Sequence, residues 1–587
     1  MKPVILASAA MFAAPAFAQD PLAPLPPPSA VQPHAQPAAP MPMAQPPQLQ
    51  PAPPPAPVVR IPTDWRGVFD AIRARNWASA QAGIAMLPPN ELSAVARAEL
   101  YTAKGSPTVG LDRLQALLAE APDLPQSEQI ARMALSRGAT NALVVPANRL
   151  VALGSAPGRS RARAVSGEPE ADRLRAQIDP LLKDNLAAEA ESLFLQALPY
   201  LSYEARAEAS QRIAWTYYVI GRDADARRLA DSGRLGATGE WVSHSGWVSG
   251  LAAWRMGDCT AAAPSFRLVA SSAQERELRA AGLYWAARAE QACRRPAAVA
   301  PLLKAAAALP DSFYGLVARE TLGMPTQLTP AAAGIPANVA AVPNVRRAIA
   351  LANIGEHPLA EAMLRHQAKI GRPHEHQGLI GVARQLDLAG AQYWLAHSGQ
   401  AGAVAEAADR FPIPRWAPLR GWRIDRALAL AHIRQESKFR AEVVSPAGAV
   451  GLMQVMPATA AAMAAQNGLS YTPAALFNPP LNMELGQSFI ERMRRSGATA
   501  DQLPRVIAAY NAGPLPVGRW AAIHDKGDPL LWIESLSYWE TRYYVPAVLR
   551  NLWVYQGLMN QPTPTLRAIA EHRWPGVPSA STEIASN

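Results

Sequence analysis

IAWTYYVIGRDADARRLA (213–230) and SGLAAWRMGDCTAAAPSF (249–266) run in one register. Each reads as an apolar helix, a glycine turn and a second helix. The turn glycines, Gly221 and Gly257, stand 36 residues apart (257 − 221). AARAEQACRRPAAVAPLL (286–303) continues the register with Cys293 at the turn, and LANIGEHPLAEAML (351–364) is a further copy. A helix–turn–helix unit of this length buries its apolar face only against its neighbours, which is the pattern of an α-solenoid. Trp215, Tyr217, Trp254, Tyr284 and Trp285 then read as packing between helices, because aromatic side chains dominate core burial.

The units resemble tetratricopeptide repeats, and the Ala-, Leu- and Arg-rich stretch that holds them predicts an α-superhelical domain over 61–405. At 587 residues the chain is too long for one core. A second, all-α domain is predicted over 410–575, after Phe411-Pro412-Ile413-Pro414. Its helices are expected from the N-cap Asp425 to Ser437, from Pro457 to Asn467-Gly468, from Asn478-Pro479-Pro480 to Ser496-Gly497, over about 503–510, and over roughly 537–556. This domain is expected to fold when 61–405 is removed. The tail, 576–587, reads as disordered.

The opening MKPVILASAAMFAAPAFAQD predicts a signal peptide, 1–18, with Lys2 at its positive end and Ala16-Phe17-Ala18 as the small-x-small cleavage site ahead of Gln19. No cysteine lies near that site to take a lipid anchor, and no other segment is long and apolar enough to span a membrane. The expected location is the periplasm. Within the linker, 19–60, residues 21–57 hold 16 prolines in 37 positions and cannot pack a core. As polyproline II the stretch would reach roughly 115 Å at ~3.1 Å per residue. Export and a net charge of +10 favour an anionic polymer outside the cytoplasm over nucleic acid. Cys259 and Cys293 are either a structural disulfide between neighbouring helices or two buried thiols. His374-Glu375-His376 lacks the i, i+4 spacing of a helical metal site and reads as a solvated turn.

Glu436, in IRQESKF (433–439), carries the chemistry. Ala429, Ile433 and Glu436 share one helical face. Burial on that face and the negative end of the helix dipole both favour the protonated carboxyl, the form a general acid needs. A surface glutamate paired with Arg434 or Lys438 is the competing reading. Nearby motifs add uncharged polar groups: Ser445, the Gly448–Gly451 turn, Gln454, Tyr510 and Asn511. Neutral hydrogen-bonding groups beside one acid suit an oxocarbenium-like transition state on a sugar ring. No second carboxylate accompanies Glu436 in the motif loops.

IRQESKF, SPAGAVGLMQVMPATA (445–460), AYNAG (509–513) and WETRYYV (539–545) together resemble the signature blocks of the soluble lytic transglycosylase family, and SFYGLVARETLG (312–323) resembles a segment of its helical N-terminal region. The resemblance implies a lysozyme-like domain after a ring- or crescent-shaped α-superhelix. It puts Glu436 in the role of sole acid/base. It places Ser445, Gly451, Leu452, Met453, Gln454, Tyr510, Asn511 and Tyr544 against the glycan, with Glu534 as an acidic groove residue. Tyr543 departs from the glycine that relatives often carry before the matched tyrosine. The implied reaction cuts the β-1,4 bond between N-acetylmuramic acid and N-acetylglucosamine in peptidoglycan and closes a 1,6-anhydro ring, with no metal or other cofactor. A muramidase that adds water, and a non-catalytic glycan-binding scaffold, are the alternatives.

Overall fold

The computed structural model describes residues 60–154, 158–330 and 334–580. The predicted signal peptide and proline-rich linker lie outside the described residues, apart from Arg60. The described residues are helical nearly throughout, with one antiparallel strand pair, Leu150–Ala152 against Ser398–Gln400. No described helix is long and apolar enough to cross a membrane.

The described residues fall into two compact units, one of 60–153 with 334–405 and one of 154–330 with 406–580. This division differs from the expected boundary near 405: the middle of the predicted superhelix clusters with the C-terminal domain. The first unit closes around Phe69, Val95, Leu114, Ile130, Leu351, Met363 and Ile380. There, His376 is buried with its Nε2 against the Leu395 carbonyl, 2.8 Å away, while His374 is exposed on the turn Pro373–Glu375.

The repeat read from the sequence takes a physical form at the helix ends. After Tyr203–Val219, the Gly221 amide bonds Tyr218 O and the Arg222 amide bonds Tyr217 O. The same pair recurs at Gly257 and Asp258, at Arg294 and Arg295, and at Gly355 and Glu356. Each first residue is left-handed (φ 84°, 79°, 59° and 82°). Such a cap satisfies the last carbonyls of one helix and reverses the chain into the next. In the third copy the left-handed residue is Arg294, one place beyond the expected Cys293. Tyr217, Tyr284 and Trp285 are buried as expected, whereas Trp215 is half-buried.

Cys259 and Cys293 form a disulfide with Cα atoms 5.5 Å apart. It joins the start of helix Cys259–Ser272 to the end of helix Arg276–Ala292.

Within the second unit, buried polar pairs tie the superhelix to the C-terminal helices. Arg159 donates twice to Glu534 at 2.9 Å, and Tyr314 donates to the same carboxylate at 2.8 Å. Arg550 donates to Glu277 at 3.1 Å, Arg288 to Asp528 at 2.7 Å, and the Tyr218 and Ser535 hydroxyls are 2.7 Å apart. A cut near 405 would strand these buried partners, and an uncompensated buried charge costs far more than the pair contributes. Independent folding of 410–575 therefore does not follow. The tail is also corrected: Ile424 bridges Ser579, Gln502 bridges Gly576, and the Leu503 amide bonds Pro575 O. Backbone pairing therefore reaches Ser579.

Because the disulfide closes a long loop, Cys259→Ser with Cys293→Ser is expected to lower unfolding free energy by about 2–4 kcal/mol, read by denaturant titration. An unchanged midpoint would show that the helix caps alone hold this turn.

Candidate active site

Helix Arg426–Glu436 begins at Asp425, whose carboxylate caps the Ala427 amide at 2.6 Å and accepts from Gln556 Nε2 at 3.0 Å. Ala427 to Arg434 are all buried, so the helix is core on every side rather than on one face. Glu436 is its last residue. Tyr544, on helix Trp539–Leu558, donates to Glu436 Oε1 at 2.5 Å. His432 Nδ1 stands 2.8 Å from the Tyr544 oxygen. With Tyr544 donating to the carboxyl, His432 must carry its proton on Nδ1. Burial keeps this imidazole neutral by pushing its pKa down to about 3.

Arg434 does not pair with Glu436. It donates to Asn551 Oδ1 at 2.9 Å and to the Arg410 carbonyl at 3.1 Å. Burial raises the Glu436 pKa to about 8; the Tyr544 hydrogen bond opposes the shift and the charge of Glu540 adds to it. No cation contributes. Burial and the Glu540 charge outweigh the Tyr544 bond and favour the protonated carboxyl at neutral pH.

The loop after Glu436 is fixed by a side chain that sequence reading missed. Asn482 Nδ2 donates to the carbonyls of Val450 (2.9 Å) and Leu476 (3.0 Å), while its Oδ1 accepts from the Met453 amide (2.8 Å). Gly451 has φ 79°, and a Cβ there would meet Asn482 Nδ2 at 2.3 Å. Only glycine lets the chain pass Asn482 this closely. Ser445 Oγ accepts from the Ala449 amide at 2.8 Å. Gln454, at φ 48°, donates from Nε2 to Gly451 O at 2.8 Å and to Val443 O at 3.2 Å. Tyr510 donates to Met453 O at 2.7 Å, and its ring lies 4.5 Å from that of His432.

These contacts sort the expected glycan residues. Leu452 and Met453 are fully buried, so their side chains support the loop from below. Asn511, Gln454 and Glu436 are half-buried. Glu534 is a correction: it is wholly buried against Arg159 and Tyr314 and does not reach a groove. The carboxylate that acts on Glu436 is Glu540, which accepts from Asn511 Nδ2 at 3.1 Å and whose own pKa is raised by burial. Thr541 donates to Asn511 Oδ1 at 2.6 Å, which fixes the amide's orientation.

The signals for the missed residues were partly present. His432 lies one helical turn before Glu436, and Glu540 one turn before Tyr544; i, i+4 pairs share a face. Asn482 had no local signal, because its role depends on a loop thirty residues away in sequence.

Residues 417–533 match the family model described as Transglycosylase SLT domain. The soluble lytic murein transglycosylase of Escherichia coli K12 is 36% identical over 158 residues, which is 26% of this chain and 23% of that one. That of Salmonella typhimurium is 36% identical over 146 residues, 24% and 22% of the two chains. The match thus spans about a quarter of these curated relatives. In fold, the chain is similar to the 70 kDa soluble lytic transglycosylase of E. coli, with TM-score 0.55 and 18% identity over 87% of this chain and 99% of that chain. It is similar to the lytic transglycosylase Slt of Pseudomonas aeruginosa, solved as an inactive mutant, with TM-score 0.53 and 19% identity over 87% and 83%. The fold class is all-α, a superhelical solenoid followed by a lysozyme-like domain, and the resemblance to soluble lytic transglycosylases holds in both sequence and fold.

Three substitutions test the electrostatic account. Tyr544→Phe removes a bond that favours the ionised acid, so the alkaline limb of the pH–rate profile moves above 8 while kcat drops by roughly tenfold. Glu540→Gln removes a repelling charge, so the limb moves down. Glu436→Gln also bears on stability. The folded protein holds a proton on Glu436 between the ordinary value of 4.5 and about 8, so wild-type stability falls as pH climbs through that window. The variant is expected to match wild type in Tm at low pH and to exceed it above pH ~8. Limbs that do not move in opposite directions would contradict the account.

Proposed function

We propose that this protein is a lytic transglycosylase that cuts peptidoglycan glycan strands between N-acetylmuramic acid and N-acetylglucosamine and releases a 1,6-anhydromuramyl end. The protonated, cation-free Glu436 carries the reading. Its neutral carboxyl gives a proton to the glycosidic oxygen as the bond to the anomeric carbon breaks. The resulting carboxylate then takes the proton of the muramyl 6-hydroxyl as that oxygen bonds the anomeric carbon. The nucleophile belongs to the sugar being cut, so proximity replaces activation of water. Tyr544 donates to Glu436 throughout and steadies the charge that appears after the first transfer. Ser445, Gln454, Tyr510 and Asn511 frame the cleft with uncharged polar groups. No step calls for a metal or other cofactor.

Glu540 revives the muramidase alternative, since a second carboxylate could activate water. One observation favours ring closure instead: Asn511 Nδ2 donates to one oxygen of Glu540. The matched relatives are named for transglycosylase action on murein, which supports the same choice. Such a substrate lies in the periplasm, in keeping with the signal pattern at the N-terminus.

Digestion of purified sacculi followed by mass spectrometry decides the chemistry. Muropeptides lighter by one water than the hydrolysis product are expected, and Glu436→Gln should lose turnover by roughly 10²- to 10⁴-fold while still binding strands. Hydrated ends from the wild type would establish the muramidase. Full turnover in the variant would remove Glu436 from the mechanism.

A further inference from the structure

One nitrogen of His432 has no structural account. The residue is fully enclosed on helix Arg426–Glu436, one turn before the acid. Its Nδ1 stands 2.8 Å from the Tyr544 oxygen, and the Tyr510 ring packs 4.5 Å from its own. Its Nε2 is buried with no hydrogen-bond partner among the described residues. The Tyr510 hydroxyl gives its proton to the Met453 carbonyl instead. A leucine would fill similar space without burying polar atoms, so packing alone does not account for the imidazole.

A neutral imidazole has one N–H and one lone pair. Burial keeps this ring neutral, so two arrangements compete. With the proton on Nε2, Nδ1 offers only a lone pair, and Tyr544 must donate to it. The phenol oxygen then serves Glu436 only as an acceptor, and the acid's proton is spent on the phenol. The Nε2–H is also left an orphan donor in the core. With the proton on Nδ1, the ring donates to the phenol oxygen, and the phenol donates to Glu436 Oε1 at 2.5 Å. Only a lone pair then stays bare at Nε2. Among buried backbone groups an orphaned N–H is rarer than an under-bonded acceptor, and the ring follows the same preference.

We propose that His432 is a positioning residue for the acid: its Nδ1–H, given to Tyr544, obliges the phenol to donate to Oε1 and so keeps the transferable proton of Glu436 on Oε2. The inference rests on the glycan-cutting reading and specifies which carboxyl oxygen serves the glycosidic bond. Once the proton has left, the carboxylate meets a phenol already aimed at it. The tautomer needs no change within the cycle, and donors fixed before charge develops cost no reorganisation. Aligned hydrogen bonds also polarise one another, so the imidazole strengthens the phenol as a donor.

The test uses the full chain in two measurements. The first is ¹⁵N NMR of histidine-labelled protein, which reads the tautomer without turnover. The His432 signals are assigned by their loss in His432→Leu, or by their shift in Tyr544→Phe if the leucine variant fails to fold. A proton on Nδ1 is expected, and a proton on Nε2 overturns the proposal. The second compares kinetics on purified sacculi. His432→Leu is expected to lower kcat by roughly five- to tenfold at unchanged KM, because the enclosed ring does not touch the strand. His432→Asn keeps an N–H near the Nδ1 position and is expected to restore kcat to within about threefold of wild type. A leucine variant as fast as wild type, an asparagine variant as slow as the leucine one, or a loss confined to KM overturns the assignment. If the wild type cuts no sacculi, the proposed activity fails, while the tautomer still decides the role of His432.

Discussion

A carboxylic acid kept neutral inside protein is the constraint around which this site is organised. Glu436 ends a helix whose residues Ala427 to Arg434 are buried, so its carboxyl meets the negative end of the helix, and burial favours its proton. Arg434, the cation two residues before it, is turned to Asn551. Tyr544 donates a hydrogen bond to the acid, and His432 Nδ1 holds the Tyr544 oxygen in turn. The balance is between burial, which holds the proton on, and that phenol, which eases its departure.

The superhelix contributes chemistry as well as scaffold. Within the second unit its helices supply Tyr314 and Tyr218 to C-terminal partners, and Glu277 to Arg550. They also supply Trp215, Trp241 and Lys183 to a cavity that Asn511 and Glu540 line as well. Buried polar pairs of this kind add little net stability, but they penalise every arrangement that separates them. The position of Glu540 and Asn511 relative to Glu436 is thereby coupled to helices hundreds of residues earlier in the chain.

Much of this was legible in the chain itself. The 36-residue spacing of Gly221 and Gly257 announced the left-handed caps, because glycine is the residue that reaches that conformation without strain. Asp425, Pro457, Asn478 and Gly513 marked helix ends near where they fall. Glu436 stood out through its motif. What could not be read depended on contacts distant in sequence. The Asn482 clamp, the burial of Glu534 and the pairing of Gly576 and Ser579 with the domain have no local periodicity. Glu540 was within reach, one helical turn before Tyr544, whereas Glu534, six residues before Glu540, is enclosed by Arg159 and Tyr314.

The central claim concerns the protonation state of one group, and infrared difference spectroscopy of the full-length protein reads it directly. The carboxyl C=O band lost in Glu436→Gln should persist through neutral pH and titrate away near 8. Disappearance of that band near the ordinary value of 4.5 would show an ionised glutamate at working pH, and the acid-first mechanism would fall with it.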